Sequence, residues 1–265
     1  MRILFFGDIV GNPGILAVSD VLPSLLKRFE PDFVIANGEN ATRGFGINYR
    51  DALRLRECGI DAVTLGNHWR NRSSIDDFIE ELDWLIRPCN VRNYDFGQGY
   101  ATFDVDGVAL TVVNVLGTAF MKEEVNSPIV SVQDVLNDVS EGIVIVDYHG
   151  ESTSEKATFA YYFDGQVSAV LGTHTHVQTN DARVLPQGTA FISDVGMCGP
   201  YESVIGFEPQ SVIRRLFYGD APRMEISEEG KRCVNAIVLD VDPETYLATS
   251  IQTLYLIDGK ERQDA

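Results

Sequence analysis

Gly172-Thr173-His174-Thr175-His176 sets two of the chain's four histidines one residue apart, directly after the apolar run Val167–Leu171. That run reads as a buried strand, and residues two apart in an extended chain share a face. Two neutral imidazoles on one face beyond a strand end are placed to bind metal. The other two histidines are placed alike. His68 follows the run Asp61–Leu65 and the turn Gly66-Asn67, and His149 follows Gly142–Val146 with Asp147 and Tyr148 between. Two earlier runs end in carboxylates, at Gly7-Asp8 and at Gly38-Glu39-Asn40. Each residue has an ordinary reading alone, as helix cap, turn former or surface histidine. Scatter does not put every histidine of a chain into five turns of one kind, so together they point to a shared metal site.

The ligand set narrows the metal. Asp8, Glu39, Asn40, Asn67, His149, His174 and His176 offer carboxylate, carboxamide and imidazole but no thiolate, a set that suits Mn, Fe or Zn. Seven candidates are too many for one tetrahedral zinc and fit two metals sharing a bridging carboxylate. Two metals roughly 3.5–4 Å apart are the usual clamp for in-line displacement at phosphorus.

The elements that must position these residues follow from the apolar runs. Arg2–Phe6, Asp32–Ala36 and Asp61–Leu65 read as strands, each followed by a helical stretch: Ile15–Phe29, Tyr49–Cys58 and Ile75–Leu85. Strand–helix alternation of this kind predicts an α/β fold, and ligands of open α/β sheets bind beyond the carboxyl ends of the strands. Further on, Tyr100–Val105 and Val108–Val115 around Asp106-Gly107 predict a hairpin. A helix is expected over Val130–Val139. Ser152 and Glu155 suggest a capping box for a helix towards Phe163. Ala182–Leu185 with Gly188–Ile192 suggest another hairpin, Ser193–Glu208 a Gly/Pro loop, and Pro209–Phe217 a helix. Cys233–Val241 and Leu247–Leu256 close the chain as strands. One domain over residues 1–257 is expected, with residues 258–265 frayed.

Composition bounds the partners. A formal net charge of −18 repels polyanions, so broad nucleic-acid or anionic-membrane binding is not expected. A small anionic substrate is compatible with it, because bound cations reverse the potential locally. Four scattered cysteines without a CxxC, no apolar run of transmembrane length and no signal-peptide pattern at MRILFFGD lead us to expect a cytoplasmic protein with free thiols. A homo-oligomer could assemble through loops such as Ser193–Glu208.

The order of these motifs resembles the calcineurin-like metallophosphoesterases. In detail, GDIVG, NGEN, GNHW, DYHGE and GTHTH are similar to the bacterial YmdB-like branch, assigned as 2′,3′-cyclic nucleotide phosphodiesterases. The resemblance spans residues 1 to about 210 and implies a sandwich of two central β-sheets flanked by helices. Three positions depart from the general superfamily pattern and match the branch: Val10 replaces a ligand histidine, Glu39 the bridging aspartate, and Trp69 an acidic residue. These departures count against substrates carried over from protein phosphatases. By the resemblance, Asp8, Glu39, Asn40 and His176 would hold one metal, and Glu39, Asn67, His149 and His174 the other, with Fe or Mn most expected and Zn admissible. Metal-bound hydroxide would attack phosphorus, and His68 would protonate the departing oxygen. Arg43 is a weaker candidate for phosphate contact, and Tyr201 and Phe207 for stacking on a base. The rivals are a phosphomonoesterase or nucleotidase with the same metals, and a non-catalytic regulatory protein sensing metal or nucleotide.

Overall fold

A computed structural model describes residues 1–219 and 223–262. They begin with β1 (Arg2–Phe6), β2 (Asp8–Ile9), α1 (Gly11–Phe29), β3 (Phe33–Asn37), α2 (Tyr49–Glu57), β4 (Ala62–Thr64) and β5 (Leu85–Ile86). Next come β6 (Tyr100–Val105), β7 (Val108–Leu116), α3 (Pro128–Asp138), β8 (Ile143–His149), α4 (Thr153–Tyr162) and β9 (Ala169–Thr173). The remainder is β10 (Arg183–Val184), β11 (Ala190–Ile192), β12 (Met197–Pro200), α5 (Pro209–Ile213), β13 (Arg232–Val241), β14 (Ala248–Ile257) and β15 (Lys260–Glu261).

Two sheets result. The first has the order β15-β14-β13-β1-β3-β4-β5, with β12 joining β13 and β2 beside it. Strands β1, β3, β4 and β5 are parallel, whereas β13 runs antiparallel to β1. The second has the order β10-β11-β9-β8-β7-β6, parallel from β7 through β8 and β9 to β11. Alternation along the strands builds the layers. Ile3 and Phe5 of β1 face Ile145 and Leu171 of the second sheet, while Leu4 and Phe6 pack under Val18, Leu22 and Leu25 of α1. On the far side, Val144, Val146 and Val170 meet Val132 of α3 and Phe159 of α4. Burying each such side chain stabilises the fold by about 1.5–3 kcal/mol.

The layer between the sheets changes character as it nears the strand ends. Two residues beyond Ile35, Ala62, Ile145 and Leu171 stand Asn37, Thr64, Asp147 and Thr173, all four wholly buried. The same alternation that packs the dry core thus ends in a polar tier directly beneath the strand-end turns.

Several sequence expectations need correction. No α-helix spans Ile75–Leu85; two short tight turns, Ser73–Asp77 and Ile79–Glu81, stand there, and Leu85 begins β5. The apolar pairs Ile75/Phe78 and Ile79/Leu82 are three apart, a spacing that three-residue turns bury as well as an α-helix does. Helix α1 starts at Gly11, with Pro13 in its first turn, where a missing N–H costs nothing. Ser152 caps α4 by accepting from the Glu155 amide at 3.3 Å, but the box is not reciprocal. The Glu155 carboxylate instead takes the Thr118 amide at 2.9 Å and hydroxyl at 2.6 Å. The Ser193–Glu208 loop contains β12, and Asp258–Arg262 is not frayed, since Lys260–Glu261 pairs with Leu256–Ile257. Residues 263–265 lie outside the described residues. Among the described residues no helix is long and apolar enough to cross a membrane.

Candidate metal centre

Asp8 lies in β2, two residues past the end of β1, and is held there by parallel pairing of Asp8 with Met197 of β12. Glu39 and Asn40 follow β3, and Asn67 and His68 follow β4. His149 is the last residue of β8, and Thr173 ends β9. His174 and His176 are therefore not on an extended strand, as alternation had suggested. Both have positive φ, 103° and 67°, a conformation rare for residues with a side chain and common at functional turns. The turn is anchored from below. The His174 amide donates to Asp8 Oδ2 at 3.1 Å and the Thr175 amide to Asp194 Oδ2 at 2.9 Å. Lys156 of α4, wholly buried, donates to the Thr173 carbonyl at 2.8 Å and to the same Asp194 oxygen at 2.9 Å.

The seven candidate ligands converge in two overlapping groups. His149 Nε2 stands 3.2 Å from Glu39 Oε1, 2.9 Å from Asn67 Oδ1 and 3.0 Å from His174 Nδ1. His176 Nε2 stands 3.1 Å from Asn40 Nδ2 and 3.8 Å from Asp8 Oδ1. Asn40 Nδ2 is also 3.0 Å from Glu39 Oε1, which links the groups. Donor atoms of Glu39, His149 and His174 all lie within 4.8 Å of one another.

Three observations fit cations at this point. Asp8 Oδ1 is buried without a hydrogen-bond partner, an arrangement that costs free energy unless something else satisfies the charge. Gly66 lets two candidate ligands close in on the backbone: a Cβ there would clash with Glu39 Oε2 at 2.3 Å and His149 Nε2 at 2.5 Å. Each imidazole has its other ring nitrogen engaged, as ligand histidines do. His149 Nδ1 is 2.9 Å from Thr173 Oγ1, which donates to Asp147 Oδ1 at 2.6 Å. His174 Nε2 faces Glu151 Oε2 at 3.2 Å, and His176 Nδ1 donates to the Ile205 carbonyl at 2.9 Å.

The protonation pattern of the metal-free chain shows the same strain. Burial pushes Asp8 up to about 6, against the pull of His176 and His149. Burial also opposes ionisation of Glu39, but His149 and His68 hold its carboxyl well below the usual range. His149 overcomes burial through Glu39, Asp8 and Asp147 and rises to about 9. Burial and the neighbouring His149 take His174 down to about 3. One protonated imidazole thus balances a pit of buried carboxylates.

His68 is half-buried at the rim. Its amide donates to Glu39 Oε2 at 2.9 Å, and its Nδ1 lies 2.9 Å from Asn40 Oδ1. The weaker candidates separate. Arg43 is exposed on the loop after Asn40. Tyr201 lines a cavity of about 410 Å³ with His176, Tyr255 and Arg262. Phe207 is buried and packs on Phe45 at 5.4 Å between ring centroids, so it does not offer a stacking face. The supporting residues Asp147, Thr173, Lys156 and Asp194 were not singled out from the sequence. The visible signals were a charged residue prolonging the apolar run Ile143–Val146 and a lysine among inward positions of α4.

Known proteins resemble this chain over nearly its whole length. A Bacillus subtilis (strain 168) protein named 2′,3′-cyclic-nucleotide 2′-phosphodiesterase is 38% identical over 97% of this chain and 98% of its own. A crystal structure of a novel phosphatase from Mycoplasma pneumoniae superposes with a TM-score of 0.92 at 32% identity, covering 97% of this chain and 93% of the other. A hypothetical protein from Thermus thermophilus superposes with a TM-score of 0.91 at 38% identity, covering 97% and 99%. The pattern described as YmdB-like protein matches residues 4–254, and with that match across nearly the whole chain the protein belongs to the YmdB-like family.

Proposed function

We propose that this chain is a metal-dependent phosphodiesterase that opens the 2′ ester of 2′,3′-cyclic nucleotides. Its class, a phosphoester hydrolase, follows from the relatives named phosphatase and phosphodiesterase. The cyclic-nucleotide substrate is carried over from the Bacillus subtilis relative. The observation that carries the reading is the meeting of two groups, Glu39 with Asn67, His149 and His174, and Asn40 with Asp8 and His176, together with the orphaned Asp8 Oδ1. Asp8, Asn40 and His176 would hold one metal and Asn67, His149 and His174 the other, with Glu39 between. Manganese or iron suits this donor set. When bound, such ions polarise phosphoryl oxygens and lower the pKa of water.

The chain's own groups do the rest. Thr173 and Asp147 keep the His149 proton on Nδ1 and leave Nε2 as a donor to the metal. Turning the Asn40 amide by half a revolution exchanges groups of nearly equal size. It directs Oδ1 towards His176 and Glu39 and lets Nδ2–H donate to His68 Nδ1. His68 then carries its proton on Nε2, at the exposed edge, where it can pass to the departing ribose oxygen.

The test is hydrolysis of 2′,3′-cyclic AMP by chelator-stripped protein with and without added Mn, beside Glu39→Gln and a phosphomonoester control. Metal-dependent release of 3′-AMP, lost in the variant, is expected. Turnover of the monoester alone overturns the substrate, and bound metal with no turnover overturns the enzyme.

A further inference from the structure

We infer that Phe45 is the platform on which the substrate's nucleobase stacks, making it a specificity-determining residue of the site. The inference rests on the cyclic-nucleotide reading above and extends it to the base.

The geometry begins with the leaving group. In a cyclic diester the oxygen that departs stays on the ribose, so the side chain that protonates it must face the nucleoside. With Nδ1 engaged by Asn40 at 2.9 Å, His68 has only its outer edge to present. The nucleoside therefore lies on the His68 side of the site. The Phe45 ring stands there, edge-on to His68 with centroids 5.1 Å apart and planes at 73°. It is half-buried, so part of the ring is open to a ligand, while buried Phe207 backs it at 5.4 Å.

The loop carrying Phe45 is built in advance. Arg72 donates from Nη2 to the Thr42 carbonyl at 2.8 Å and from Nε to the Phe45 carbonyl at 3.0 Å. Arg43, Gly44 and Gly46 all take positive φ, of 56°, 80° and 73°. A Cβ on Gly44 would meet Ile226 at 2.7 Å and Phe207 at 3.1 Å, so the loop is packed down on its support. A platform fixed before the ligand arrives spares the ordering cost of binding. Stacking also suits this protein's charge of −18, because the base is the uncharged part of the substrate. Every base has a π-face, so stacking predicts acceptance of all four bases with purines favoured by area.

The test compares wild type, Phe45→Ala and Phe45→Trp, all metal-loaded, on 2′,3′-cyclic AMP and on ribose 2′,3′-cyclic phosphate, the same ester without a base. For Phe45→Ala we expect kcat/KM on the nucleotide to fall by about ten-fold, mostly through KM, from the usual worth of one stacked base. The loss should exceed that on the base-free ester at least several-fold, and Phe45→Trp should restore the nucleotide KM. Equal losses on both esters, carried by kcat, would overturn the platform and leave Phe45 as a prop for His68. Wild type that cleaves both esters equally well overturns it too. Wild type that cleaves neither removes the substrate reading itself, which the first comparison shows before any variant is examined.

Discussion

Replacing Thr173 by Val keeps the shape of the side chain and deletes one hydroxyl. That hydroxyl is the middle of a buried chain: it accepts from His149 Nδ1 at 2.9 Å and donates to Asp147 Oδ1 at 2.6 Å. His149, Thr173 and Asp147 are all at 0% exposure, so water has no access to replace it. Asp147 retains the Thr64 hydroxyl and Asn37 amide on Oδ2, but Oδ1 loses its donor and His149 Nδ1–H its acceptor. Each buried group left unpaired costs about 1–3 kcal/mol, so Thr173→Val, which leaves two, should destabilise the metal-free protein by about 2–6 kcal/mol. Freed of its orientation and tautomer, His149 should also bind metal about 10–100-fold more weakly. Urea unfolding reads the first quantity, and competition for Mn or Zn with a fluorescent chelator reads the second. Thr173→Ser, which keeps the hydroxyl, should recover the metal affinity. Asp147→Asn should do something different. Its amide can donate to Thr173, turn that hydroxyl towards His149 and move the imidazole proton to Nε2, a change visible in 15N NMR. Wild-type metal affinity in Thr173→Val would refute the chain as a tautomer lock.

Two further predictions concern charge. In the metal-free protein His149 titrates near 9, above the free imidazole value of about 6.5. Its contribution to stability is thus complete below about pH 6.5 and disappears as pH rises through 9. Metal taking the Nε2 position displaces that proton, so calorimetry near pH 8 in buffers of different ionisation enthalpy should register proton release on loading. His149→Gln should abolish both effects, and a pH-independent melting temperature in metal-free wild type would contradict the assignment. Lys156→Met strands Asp194 in the interior without its cation and should cost about 3–5 kcal/mol in urea unfolding. An unchanged midpoint would mean that the pair does not hold the His174–His176 turn.

Most of the site was legible because its residues sit at one kind of place, the turn after an apolar run. That much depends on local order in the sequence, which picks out Asp8, Glu39, Asn67 and His149 as candidates. The two-sheet arrangement came with the family resemblance. What stayed hidden depends on contacts between strands distant in sequence. Asp147 reaches Thr64 and Thr173 only once the two sheets face each other. Alternation could have exposed this tier, since Asn37, Thr64, Asp147 and Thr173 each follow an inward apolar residue by two. The His174 and His176 backbone was misjudged because positive φ is set by the anchors Asp8 and Asp194, which no local pattern encodes. Strand β12 was missed because Met-Cys-Gly-Pro has little strand character and pairs only through its neighbours β2 and β13.

The position of β1 sets a schedule for the molecule. Its parallel partner β3 is made soon after it, but β13 on its other edge, whose Leu239 pairs with Ile3, is made much later. At ribosomal rates of about 5–20 residues per second the gap is on the order of ten to fifty seconds. Asp8 depends on the same closure, because the β12 strand beside it is itself held by β13. A nascent chain therefore has no finished pit in which to trap the first ion it meets. Metal held by these donors would thus be selected by a chain already closed through β13, from the ions around it at that point.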